Sequence, residues 1–132
     1  MIVLLDTHYL IWTLEGDPRL NTNALSLVKD PSIPIHISIA SYWEIAIKMS
    51  LDKLRIRSGF ETFIDRTREL GISELPITTE HVRLVKNLPL HHRDPFDRML
   101  IAQAQHEGMH LLTADPYFKL YDVPLVDIWA KR

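Results

Sequence analysis

The sequence predicts an α/β protein, with a mainly parallel sheet of about five strands flanked by helices. Two observations carry that prediction. Short apolar or β-branched runs of strand length recur along the 132 residues, and helix-periodic segments fill the intervals between them. In addition, acidic residues stand where strand-like runs give way to a helix or loop. That is the edge of an open parallel sheet at which ligands bind.

Residues 2–5 (Ile-Val-Leu-Leu) read as a buried strand, and residues 7–14 as a helix that Gly16-Asp17-Pro18 breaks. Residues 23–29 form a second helix, stopped by Asp30-Pro31. The β-branched stretch 33–38 predicts the second strand. Residues 40–49 then carry helical spacing, with Ile39, Trp43, Ala46 and Ile47 on one face and Trp43 expected in the core. Residues 60–70 make a helix closed by Gly71, residues 72–75 a short strand, and residues 78–86 a helix with a hydroxyl residue available as N-cap. Asp94-Pro95-Phe96-Asp97 is a helix start, with Asp as N-cap, Pro at the first position and an acid at the third. That helix runs to about His106 and stops at Gly108, followed by a fourth strand at 110–112 and a fifth at 124–126. No repeat, low-complexity segment or Gly/Ser linker divides the chain, so residues 1–132 are expected to form one domain.

Composition narrows the chemistry. There are no cysteines, which excludes disulfides, thiolate catalysis and cysteine-ligated metal sites. The net charge of −2 offers no general attraction to nucleic acid, although Lys48, Lys53, Arg55, Arg57, Arg66 and Arg68 could make the surface locally basic. The opening apolar run is too short for a membrane span and lacks the basic region of a signal peptide, so a cytoplasmic location is expected.

Four acids then stand out: Asp6 after the first strand, Glu44 in the helix after the second, Asp97 in the first turn of the 95–106 helix, and Asp115 after the fourth strand. Each has an ordinary reading. Asp6 suits a helix N-cap, Glu44 lies four residues before Lys48 in the favourable orientation for a surface pair, and Asp115 before Pro116 suits a turn. Asp94 fits capping better than Asp97 does. Taken jointly, however, the four would converge at one sheet edge, where like charges are costly unless a cation offsets them. Hard divalent ions with oxygen ligands are the natural neutralisers, which points to a metal-dependent phosphodiesterase. Thr7 is placed to give a hydroxyl to the site or to help cap the helix, and Arg98 to contact a phosphate or pair with a carboxylate. His91-His92 could touch substrate, but it has no zinc spacing, and a loop between two helices is enough to explain it.

These same segments resemble a known family. Leu4-Leu-Asp-Thr-His8, Ser38-Ile-Ala-Ser-Tyr-Trp-Glu-Ile-Ala-Ile-Lys48, Leu88-Pro-Leu-His-His-Arg-Asp-Pro-Phe-Asp-Arg98 and Leu111-Leu-Thr-Ala-Asp115 are similar to the ordered motifs of the PIN-domain family. The likeness is closest to its virulence-associated protein C branch, the toxin ribonucleases of bacterial type II toxin–antitoxin pairs. The resemblance implies a three-layer α/β/α fold and a Mg²⁺ or Mn²⁺ site made by Asp6, Glu44, Asp97 and Asp115, with Thr7 as the accompanying hydroxyl. It further implies hydrolysis of RNA by metal-activated water, a cognate antitoxin whose C-terminal segment crosses the cleft, and a homodimer. A helix face near Trp12, or one around Tyr42 and Trp43, is the expected seat of that segment. The competing readings are a PIN-fold nuclease outside a toxin–antitoxin system, acting on DNA or in RNA processing, and a non-catalytic binding module. A phosphoacceptor receiver domain fits poorly, because Asp6 stands alone after the first strand and no suitable lysine follows the later strands.

Overall fold

Strand β1 (Val3–Leu5) runs through the interior of the sheet, and all three of its side chains are fully buried. Alternate residues of a strand face opposite sides, so β1 serves two cores. Val3 and Leu5 pack into one with Leu10, Leu27, Ile37, Ile45 and Phe63, while Leu4 packs into the other with Leu100, Ile101, Leu111 and Phe118. A strand buried on both faces must be apolar throughout, as residues 2–5 are. The computed structural model describes residues 1–128. Four parallel strands stand in the order β3-β2-β1-β4, with β2 at Ile35–Ser38, β3 at Ser73–Leu75 and β4 at His110–Leu112. Helices α1 (Thr7–Glu15), α2 (Thr22–Lys29), α3 (Ile39–Ser50) and α4 (Phe60–Glu69) supply residues to the first core. Helix α6 (Pro95–Glu107) supplies the second and packs beside α5 (Thr79–Asn87). The three-layer α/β/α arrangement is thus present. Among the described residues, no helix is long and apolar enough to cross a membrane.

The capping chemistry read from the sequence holds. Asp94 Oδ1 accepts from the backbone N–H of Phe96 and Asp97, with Pro95 opening α6. Gly108 ends that helix at φ 67°, a left-handed conformation that only glycine adopts without strain. Thr78 caps α5, and His81 completes a capping box by accepting the Thr78 N–H at Nδ1.

Two expectations need correction. The fifth strand at 124–126 reduces to a single parallel bridge, Leu111 to Leu125, held by Leu111 N–H to Pro124 O at 2.9 Å and Val126 N–H to Leu111 O at 2.8 Å. Pro124 has no N–H to extend the ladder, and Pro116–Leu120 is instead a short 3₁₀ helix. Trp43 is not in the core: it is 59% exposed, with its ring 5.3 Å from that of Phe96 in an edge-on contact. The face of α3 turned inward carries Ser41, Glu44 and Ile45, because that side lines a polar site, and the Ile39–Trp43 side faces outward.

Phe118 is fully buried in the second core one turn after Asp115. Phe118→Ala is expected to lower the free energy of unfolding by about 3–5 kcal/mol, the range for an excavated aromatic, as read by urea denaturation.

Candidate active site

The chain runs from β1 through β2 to β3 and then crosses back past β1 to β4, so the direction of the connections reverses beside β1. A crevice opens beyond the carboxyl ends of strands at such a point. Asp6 follows β1 there, and its N–H donates to Leu112 O at the end of β4. It caps α1 as expected, accepting the His8 N–H at 3.1 Å on Oδ1. Oδ2 accepts the Thr113 hydroxyl at 2.6 Å, and Thr113 Oγ1 in turn accepts the Asp115 N–H at 3.0 Å. One threonine therefore joins the first acid to the fourth. Burial works to raise the Asp6 carboxyl, but hydrogen bonds from His8 and Thr113 outweigh it and hold the group below the ordinary carboxylate range. Asp6 is ionised while only 4% exposed.

Glu44 is equally buried on the inward face of α3. Its pairing with Lys48 is real, with Nζ donating to Oε2 at 2.6 Å, yet the pair is not a surface one. The other oxygen, Oε1, is buried with no hydrogen-bond partner. An unpartnered carboxylate oxygen out of water costs free energy unless a cation meets it. Asp97, in the first turn of α6, is pushed up to about 7 by burial and by the charges of Asp6, Asp94 and Glu44, with His92 opposing. Three of the four predicted acids thus act on one another electrostatically. Asp115 joins through the Thr113 bridge and through His92, whose Nε2 lies 2.9 Å from Asp115 Oδ2 and 3.0 Å from Asp97 Oδ2.

Among the described residues, the tightest group of potential metal-binding atoms is His92, Asp97 and Asp115. The other crevice acids contribute oxygen, with the His8 ring beside Asp6 at 3.6 Å. Together with the orphaned Glu44 Oε1 and the excess negative charge that raises Asp97, this donor set fits a hard divalent cation.

Thr7 and Arg98 are both bonded to the protein's own groups. The Thr7 hydroxyl donates to Ser41 Oγ at 2.8 Å, tying α1 to α3 beneath the acids. The Arg98 guanidinium donates to the carbonyls of Val85, Leu88, Pro89 and His92, so it braces the 88–94 loop rather than a phosphate or carboxylate. Tyr121 completes the brace: its hydroxyl accepts from the N–H groups of His91 and His92 and donates to Pro89 O. Thr113 is the neighbour of the acids that sequence reasoning missed, and His92, weighed there as a substrate contact or a loop residue, lies against two of them. The adjacency of His92 to Asp94-Pro95 and of Thr113 to Asp115 was the available signal.

Two clefts flank the carboxylates and share Trp12 and Arg19, whose guanidinium lies 5.1 Å from the Trp12 ring centroid. One, of about 240 Å³, is lined by His8, Glu44, Lys48 and Lys53; the other, of about 750 Å³, reaches Thr113, Asp115 and Lys119.

Two predictions follow from this geometry. The Asp97 carboxyl titrates at about 7 in the fold against an ordinary 3.8, so between those values the folded state holds a proton that the unfolded chain has released. Its contribution to stability is full below that window and is lost as pH rises through 7. In EDTA, Asp97→Asn should therefore melt higher than wild type at pH 8, with the difference closing towards pH 4.5. Thermal unfolding across that range checks it. Arg98→Ala should cost about 1–3 kcal/mol from its charged hydrogen bonds, and Arg98→Lys should not restore it, because an ammonium cannot span four carbonyls. Chemical denaturation reads both.

Comparison with known proteins agrees with the fold. The PIN domain family profile matches residues 3–124. The chain is similar in structure to VapBC2 from Rickettsia felis bound to a promoter DNA fragment, with a TM-score of 0.72 at 16% identity over 96% of this chain and 98% of that one. It is similar also to FitAcB from Neisseria gonorrhoeae (0.66, 18%, 96% and 98%). A third likeness is to VapBC-1 from nontypeable Haemophilus influenzae (0.65, 18%, 97% and 98%). No curated protein sequence matches significantly. At such identities the solved structures speak for the fold alone, whereas the family match spans every acid of the crevice: the chain belongs to the PIN-domain family.

Proposed function

We propose that the protein is a metal-dependent endoribonuclease, acting in the cytoplasm as the toxin of a type II toxin–antitoxin pair. One observation carries the reading: Asp6, Glu44 and Asp97 crowd a buried crevice closely enough to push Asp97 to about 7 and to leave Glu44 Oε1 unpartnered. PIN-domain proteins are nucleases, and the likeness to VapBC and FitAcB supports the toxin role and a cognate antitoxin.

In this reading Asp6, Glu44, Asp97 and Asp115 hold Mg²⁺ or Mn²⁺. When bound, the ion supplies positive charge to the scissile phosphate and the leaving oxygen, and acidifies a water. The protein's own part is positional. Thr113 fixes the outer oxygen of Asp6, and the Thr7–Ser41 bond fixes the helices that carry Asp6 and Glu44. Lys48, facing Asp94 and Asp97 as well as Glu44, sets a cation at the rim where a phosphodiester backbone would enter. Trp12 and Arg19, between the two clefts, offer a stacking surface for an unpaired base, which favours single-stranded or loop RNA. The larger cleft beside Trp12 is the better seat for an antitoxin segment than the α3 face, since Tyr42 is buried. The exposed Ile39 and Trp43 support the expected homodimer instead.

Purified protein should cut an RNA panel (tRNAs, ribosomal fragments, an mRNA) at discrete sites with Mg²⁺ or Mn²⁺ and not with EDTA. Asp6→Asn and Glu44→Gln should each lower the rate at least about 100-fold, the scale of losing a charge-stabilising group. Metal-independent cutting, or equal cutting by the variants, would refute the reading.

A further inference from the structure

We propose that His92 is a positioning residue: its Nε2–H holds Asp115 by a hydrogen bond while the same ring edge lies against Asp97, and it does not itself ligate the metal ion. The proposal rests on the metal-dependent reading above and adds a role that neither the motifs nor the crevice acids supply.

At first sight the geometry invites the opposite conclusion. Nε2 of His92 lies 3.0 Å from Asp97 Oδ2 and 2.9 Å from Asp115 Oδ2, and the three atoms cluster as metal ligands would. The other ring nitrogen decides the matter. Nδ1 accepts the backbone N–H of Asp94 at 3.1 Å. A neutral imidazole has one donor and one acceptor, so an accepting Nδ1 leaves the proton on Nε2, where it is donated to Asp115 Oδ2 with Asp97 Oδ2 close by. A metal-ligating histidine has the reverse polarity, with a bare nitrogen towards the ion and an N–H donated to an outer partner. Ligation through Nε2 would place that N–H on Nδ1, against the N–H of Asp94.

The ring has little freedom to escape this arrangement. The His92 N–H is bonded to the Tyr121 hydroxyl, and the His92 carbonyl accepts from Arg98. The ring itself packs 5.9 Å from Phe118 and 5.5 Å from Tyr117, centroid to centroid. Asp94, which supplies the decisive N–H, is locked as the cap of α6, with Pro95 directly behind it. Asp97 and Asp115 come from different elements, the first turn of α6 and the turn after β4. The His92 ring, bonded to Asp115 and set against Asp97, ties the turn after β4 to the first turn of α6 and fixes the relative placement of the two acids.

Long-range proton–nitrogen NMR of the metal-free protein, labelled at histidine, reads the tautomer. A protonated Nε2 with a bare Nδ1 is expected for His92, and the opposite tautomer would overturn the proposal. Pulsed EPR after Mn²⁺ addition should show no nitrogen coupling of the size given by a directly bound imidazole. Such a coupling, lost in His92→Ala, would make His92 a ligand and end the idea. In calorimetric Mn²⁺ titrations, His92→Ala should bind about 10–100-fold more weakly, the range for losing an outer partner. His92→Gln, whose amide N–H can replace the Nε2–H, should restore most of that affinity. Wild-type affinity in the Ala variant, or no recovery with Gln, would refute the role. None of these measurements uses RNA. A protein that binds Mn²⁺ but cuts nothing leaves His92 as assigned and defeats only the nuclease reading, whereas failure to bind Mn²⁺ at all would defeat both.

Discussion

Asp6 is a carboxylate kept ionised with almost no water around it, and the rest of the site is arranged around that condition. Its two oxygens face opposite demands. One satisfies the open N-terminus of α1, where orphan N–H groups and the helix dipole favour negative charge. The other reaches across to Thr113 at the end of β4. Each bond offsets part of the cost of burial, and together they hold the group charged. The strand before Asp6 can then be wholly apolar, because the polar obligations of Asp6 are met at the sheet edge rather than inside it.

A neighbour responds to that charge. Asp97 is raised to about 7, first by its own burial and then by the negative charges of Asp6, Asp94 and Glu44, so it holds its proton where an ordinary carboxyl would have lost it. Glu44 divides its two oxygens differently, with Lys48 on one and nothing on the other. A lysine can neutralise a carboxylate at a rim but cannot enter the centre of several at once. The arrangement is consistent with a small ion of high charge as the missing partner, with Lys48 as a permanent counter-charge at its side.

Much of this was legible in the residues. Asp94-Pro95, Thr78 and Gly108 mark helix ends through local chemistry, which tertiary contacts seldom override, and the strand-like runs at residues 2–5 and 33–38 lie where the strands are. The four acids were legible as a set because strand ends in a parallel sheet face one edge. What could not be read depends on which elements meet. Periodicity shows that α3 has two faces, but the more apolar one turned outward because the inward side carries Ser41 and Glu44. His92 looks like a loop residue until α6 and the turn after β4 place carboxylates on either side of one ring nitrogen. Arg98 looks like a phosphate ligand until the 88–94 loop folds its carbonyls over the guanidinium.

The pairing of β1 with β4 also bears on the order of assembly. Asp6 and Thr113 are separated by 107 positions in sequence yet share a hydrogen bond. A chain emerging from the ribosome N-terminus first exposes Asp6 107 positions before the threonine that completes its surroundings. Until then β1 has β2 on one flank and an unpaired edge on the other. The crevice therefore cannot form on a nascent fragment. Its closure joins residues far apart in sequence, and long-range closures of this kind are slow compared with helix formation.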